Sequence, residues 1–87
     1  MMERPDLFVI GRLLEGLLDG PLKRTQLQQR AGLNYTVFLR YFDYLVYLGL
    51  IAADADGGQL RITGKGTEAQ RFLSEGLYRI FAINSRA

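Results

Sequence analysis

The 87-residue chain contains neither Cys nor His, and its 11 basic and 9 acidic residues leave a formal charge of +2. The length suits one compact domain with one core. The composition excludes thiol nucleophiles, disulfides, imidazole bases and the usual zinc ligands.

With so little net charge, any case for nucleic-acid binding rests on where the charges lie. Residues 1–20 carry 2 basic and 4 acidic groups, residues 21–48 carry 4 and 1, residues 49–63 carry 1 and 2, and residues 64–87 carry 4 and 2. The positive excess therefore sits in the middle and at the end of the chain.

The first helix is predicted from Pro5 onward. Leu7, Ile10, Leu14 and Leu17 recur at helical spacing, with Leu13 and Leu18 beside them, before the stop signal Asp19-Gly20-Pro21. Arg12, Glu15 and Gly16 interrupt this apolar stretch, so it reads as neither a signal peptide nor a membrane span. Its outer face carries Arg12, Glu15 and Asp19, and also Phe8. Thr25 has the chemistry of an N-cap for a short polar helix, Gln26 to Arg30, which is centred on Leu27 and ends at Ala31-Gly32-Leu33. Asn34 caps a third helix running to about Leu48 and stopping at Gly49, with Phe38, Tyr41, Phe42, Leu45 and Leu48 on its inward half.

After Gly49 the helical period gives way to two extended runs, Leu50 to Asp54 and Gln59 to Thr63. The loop Ala55-Asp56-Gly57-Gly58 between them completes a β-hairpin. Gly64-Lys65-Gly66 leads into a last helix striped by Ala69, Leu73, Leu77 and Ile80, flanked by Phe72 and Phe81, with Gly76 a candidate kink or end. The predicted class is α+β, mainly α. The order of three helices, hairpin and C-terminal helix is that of a winged helix-turn-helix. The helix-turn-helix spans about 22–48, the wing about 50–63 and the last helix about 64–83, all within a single domain over 1–87.

The run from Leu33 to Ile51 resembles a family of small winged-helix proteins common in archaea. In that family an aromatic residue opens the third helix, another follows six residues later, and the helix closes on a Gly-Leu-Ile-like step. Tyr35, Tyr41 and Gly49-Leu50-Ile51 match this pattern. Leu60-Arg61-Ile62-Thr63-Gly64-Lys65-Gly66 is similar to the family's strand followed by Thr-x-x-Gly. The likeness covers roughly residues 7 to 75. It implies a DNA-binding regulator or chromatin-type protein, in a family several of whose members dimerise through a long C-terminal helix. With about ten residues after Gly76, a long coiled coil of that kind is not expected here.

If the third helix enters the major groove, its outward face is Thr36, Arg40, Asp43 and Tyr47. Arg40 is then the candidate reader of guanine, and Thr36 a partner for a phosphate or a thymine methyl. Asp43 opposes this unless it accepts from a cytosine amine or pairs with Arg40 three residues away. Lys23 and Arg24 stand at the entry to the second helix, where exposed N–H groups and basic side chains suit a phosphate. Arg61 on the wing and Lys65 at the start of the last helix complete the candidate set. The tip Asp56-Gly57-Gly58 carries no cation.

Homodimerisation is expected through Leu73, Leu77, Ile80 and Phe81, although packing on the domain's own first helix is an equal claim for Leu73. A second reading makes the fold a protein-interaction module that uses Val37, Tyr44 and Tyr47 on the third helix. Thr63-Gly64-Lys65-Gly66-Thr67 lacks both the Ser or Thr directly after Gly-Lys and the earlier Gly of a nucleotide-binding loop. No nucleophile lies beside a tuned acid or base, and the serines are only Ser74 and Ser85. No enzyme, cofactor, metal or membrane association is expected, and the location is expected to be cytoplasmic and nucleoid-associated.

Overall fold

The computed structural model describes the backbone of residues 4–86 and the side chains of residues 4–76 and Arg79. Four helices and a hairpin follow in order: α1 (Leu7–Gly16), α2 (Arg24–Ala31), α3 (Tyr35–Tyr47), β1 (Ile51–Ala53), β2 (Leu60–Ile62) and α4 (Gly64–Arg86). This is the mainly helical winged helix-turn-helix order read from the sequence.

Local chemistry sets the helix boundaries. The Asp6 carboxylate accepts the N–H of Phe8 at 2.8 Å, and the Asn34 side chain accepts that of Val37 at 2.9 Å, so each satisfies an amide that the first helical turn leaves open. α2 starts earlier than its sequence suggests. Its N-cap is Lys23 rather than Thr25, which lies inside the first turn. The Gln26 side chain holds the Lys23 N–H at 2.9 Å, which fixes the entry without a hydroxyl cap. α2 ends at Gly32 (φ 70°), where the N–H groups of Gly32 and Leu33 return to the carbonyls of Gln29 and Gln28. α3 ends in the same way at Gly49 (φ 76°), with Gly49 and Leu50 returning to Val46 and Leu45. Both are left-handed closures that glycine adopts without steric cost.

β1 and β2 pair antiparallel with Ile51 opposite Ile62 and Ala53 opposite Leu60. Leu22 adds a bridge on the far side of β2, exchanging both backbone hydrogen bonds with Leu60 at 3.0 and 2.8 Å. The segment before α2 is thereby tied to the wing. One hydrophobic core is built from Leu13, Leu14 and Leu17 of α1, Leu27 of α2, Phe38 and Leu45 of α3, and Ile51 and Leu60 of the hairpin. α1 and α2 approach closely at Gly16, where a β-carbon would stand 3.0 Å from Leu27 Cδ1. α4 runs on through Gly76, which does not end it.

Candidate nucleic-acid interface

The outward face of α3 carries Thr36, Arg40, Asp43 and Tyr47, all exposed. They lie opposite the buried Phe38, Tyr41, Phe42 and Leu45, so the core fixes which face the helix presents. The inward aromatics also lock α3 to its neighbours. Tyr41 Oη accepts the N–H of Asp6 at 2.9 Å, joining α3 to the start of α1. Phe38 stacks with Tyr35 and with Phe42, ring centres 6.1 and 6.0 Å apart.

The basic side chains fall into two groups. Among the described residues Arg40 and Lys23 make no side-chain hydrogen bond or ion pair, so their charges face solvent uncompensated. The Arg40–Asp43 pair that the spacing allows is not formed. Four other cations are engaged. Arg24 stands over the Phe42 ring with Cζ 4.6 Å from its centre. Arg61 pairs with Asp54 at 2.8 Å across the hairpin. Lys65 Nζ donates to the Leu48 carbonyl at 2.8 Å, capping the negative end of α3. Arg30, not singled out from the sequence, donates to the Gly16 carbonyl at 3.2 Å and closes the end of α1.

The sequence profile of the family described as winged helix-turn-helix matches residues 3–78. The chain belongs to that family. Among solved structures, this winged helix is similar to Sso10a-2, a DNA-binding protein from Sulfolobus solfataricus. The TM-score is 0.80 at 25% identity, covering 95% of this chain and 88% of that one. It also shares its fold with the PcaV transcriptional regulator from Streptomyces coelicolor, with a TM-score of 0.77 at 23% identity, covering 86% of this chain and 60% of that one. The same regulator in complex with its natural ligand gives 0.74 at 21% identity, covering 93% and 61%. Among curated proteins none matches the sequence.

Within this winged helix, Lys23 and Arg24 occupy the N-cap and first position of α2, and Thr36 and Arg40 the outer face of α3. The side chain of Lys23 caps no backbone amide, so the first-turn N–H groups of α2 remain open beside two cations. Arg61 lies on the exposed side of β2, and Lys65 in the first turn of α4. At the wing tip Gly57 alone adopts a left-handed φ, 73°. Leu73 is half-buried against the domain's own core, whereas the side chains of Leu77, Ile80 and Phe81 lie outside the described residues. Val37 and Tyr44 are likewise half-buried against the core, which leaves Tyr47, 72% exposed, as the open member of that trio.

Two features escaped the sequence reading. The stacking of Arg24 on Phe42 joins residues whose separate patterns say only surface and core. The second is an open hollow of about 310 Å³ lined by Arg12, Glu15, Gly16, Asp19 and Arg30. It arises where the ends of α1 and α2 meet, a juxtaposition that no local spacing encodes.

Proposed function

We propose that this chain binds double-stranded DNA as a transcriptional regulator or chromatin-associated protein, with α3 in the major groove. The observation that carries this reading is the uncompensated charge of Arg40 on the outward face of α3, together with the exposed Lys23 and Arg24 at the open amino end of α2. Arg40 offers the planar donor pair that matches guanine, and Thr36 stands one turn earlier on the same face. Lys23 and Arg24 supply phosphate contacts that fix the register of the helix. Sso10a-2, similar over 95% of this chain, is a DNA-binding protein, which supports the same assignment. Arg61 and Lys65, expected from the sequence as further contacts, each have an internal partner and stand outside the proposed phosphate contacts.

The competing reading, a protein-interaction module on α3, is the weaker one because Val37 and Tyr44 are taken up by the core. The role is binding rather than catalysis. No helix among the described residues is long and apolar enough to cross a membrane, and a DNA ligand implies an intracellular, nucleoid-associated protein. A homodimer through Leu73, Leu77, Ile80 and Phe81 would address two half-sites about 34 Å apart or a multiple of it. Leu77→Glu tests this part, because the sedimentation mass then falls to that of the monomer, and an unchanged mass rejects the assignment.

The DNA reading is tested by fluorescence anisotropy of a labelled mixed-sequence duplex at low and moderate salt. Binding weakens as salt rises, and Arg40→Ala weakens it by about tenfold. Absence of binding at low salt would leave the protein-interaction module as the function.

A further inference from the structure

The engaged cations differ in what engages them. Asp54 neutralises Arg61, and helix-end carbonyls, which carry partial negative charge, hold Lys65 and Arg30. Arg24 alone among them is ordered by an aromatic face, the ring of Phe42, which orients the guanidinium without cancelling its charge or using its N–H donors. That ring is the inner end of a column: Tyr35 stacks on Phe38 and Phe38 on Phe42, along α3. Phe42 is 7% exposed and anchored in the core, so the column gives a residue of α2 a rigid seat on the helix that carries Arg40. A long flexible side chain loses rotamer freedom when it contacts a ligand, and one already seated loses less.

We infer that Phe42 is a positioning residue for DNA recognition, holding Arg24 as a pre-oriented phosphate contact. The inference rests on the DNA-binding reading above and adds to it the device that fixes one contact relative to the reading helix. Phe42 touches no DNA itself. It acts through Arg24, so its contribution disappears when Arg24 is absent. The salt dependence separates the two roles, since removing a cation removes one counterion-release event whereas loosening the cation does not.

The experiment is a double-mutant cycle read by anisotropy of the mixed-sequence duplex across a salt series, with circular dichroism confirming the fold of each variant. Arg24→Ala weakens binding and lowers the magnitude of the log–log salt slope by about 0.9. Phe42→Leu, which keeps an apolar side chain in the core, weakens binding about two- to fivefold with the slope unchanged. In the Arg24→Ala background, Phe42→Leu has no further effect. Arg24→Lys retains the charge but not the planar group, so it copies Phe42→Leu and keeps the proposal testable if that variant does not fold. An equal loss from Phe42→Leu with and without Arg24, or wild-type binding by Arg24→Lys, overturns the positioning role while leaving DNA binding intact. Failure of the wild-type chain to bind duplex at low salt overturns both.

Discussion

Gly66 packs against the backbone carbonyl of Leu50 so closely that a β-carbon at that position would overlap the oxygen, and it would also stand 2.8 Å from Ile62 Cγ1. The contact explains the Thr-x-x-Gly step into α4. The Thr63 hydroxyl accepts the Gly66 N–H at 3.0 Å and donates to the Gly49 carbonyl at 2.7 Å, while the Thr63 N–H donates to the Leu50 carbonyl at 3.1 Å. Thr63 and Gly66 together weld the start of α4 to the turn between α3 and β1. Gly66→Ala must push backbone against backbone, and is expected to cost about 1–3 kcal/mol in urea denaturation. Gly64→Ala, where a β-carbon meets nothing within 4 Å, is the control and leaves stability unchanged or slightly higher.

Tyr41 supplies a second weld. Its hydroxyl accepts the Asp6 N–H across 35 residues of sequence, and Asp6 in turn caps α1. Tyr41→Phe keeps the ring in the core and leaves that amide without its acceptor. The expected loss is about 0.5–1.5 kcal/mol in the same denaturation, with faster hydrogen exchange at the start of α1. Unchanged exchange there would show that water replaces the hydroxyl at no cost.

Lys65 separates a structural cation from a DNA contact. Its ammonium caps the carbonyl end of α3 at Leu48, so Lys65→Met is expected to lower stability by about 0.3–1 kcal/mol. The salt slope of DNA binding stays where it was. A slope reduced by about 0.9 would instead make Lys65 a phosphate contact.

The punctuation of this fold was legible because single residues carry it. Gly32 and Gly49 close α2 and α3, Asn34 caps α3, and Thr63 with Gly66 opens α4. The outward face of α3 was legible too, since Phe38, Tyr41, Phe42 and Leu45 leave only one side for Thr36, Arg40, Asp43 and Tyr47. Interactions decided by tertiary approach were not legible. The start of α2 is not marked by its hydroxyl, because the Gln26 side chain, rather than that of Thr25, holds its entry. Gly76 resembled a helix breaker, yet the rest of α4 carries the helix through it. The division of the cations into free and engaged depends on the hairpin register for Arg61 and on the α2–α3 approach for Arg24.

The wing offers the sharpest separation of charge from contact. Arg61 and Asp54 face each other across the hairpin at 2.8 Å, with 53% and 37% of their side chains exposed. An exposed pair of this kind contributes at most about 1 kcal/mol to stability, so Asp54→Asn should unfold within about that margin of wild type. Its effect on DNA is expected to be larger in kind, because the substitution removes a negative charge facing the phosphates and frees a guanidinium already on the wing. Affinity for the duplex should rise, and the log–log salt slope should steepen by about 0.9, the signature of one added phosphate contact. In the Arg61→Ala background the same substitution should leave the slope unchanged, since no cation remains to be released. A steeper slope in both backgrounds would locate the effect in Asp54 itself, and no change in either would mean that the wing stays clear of the DNA.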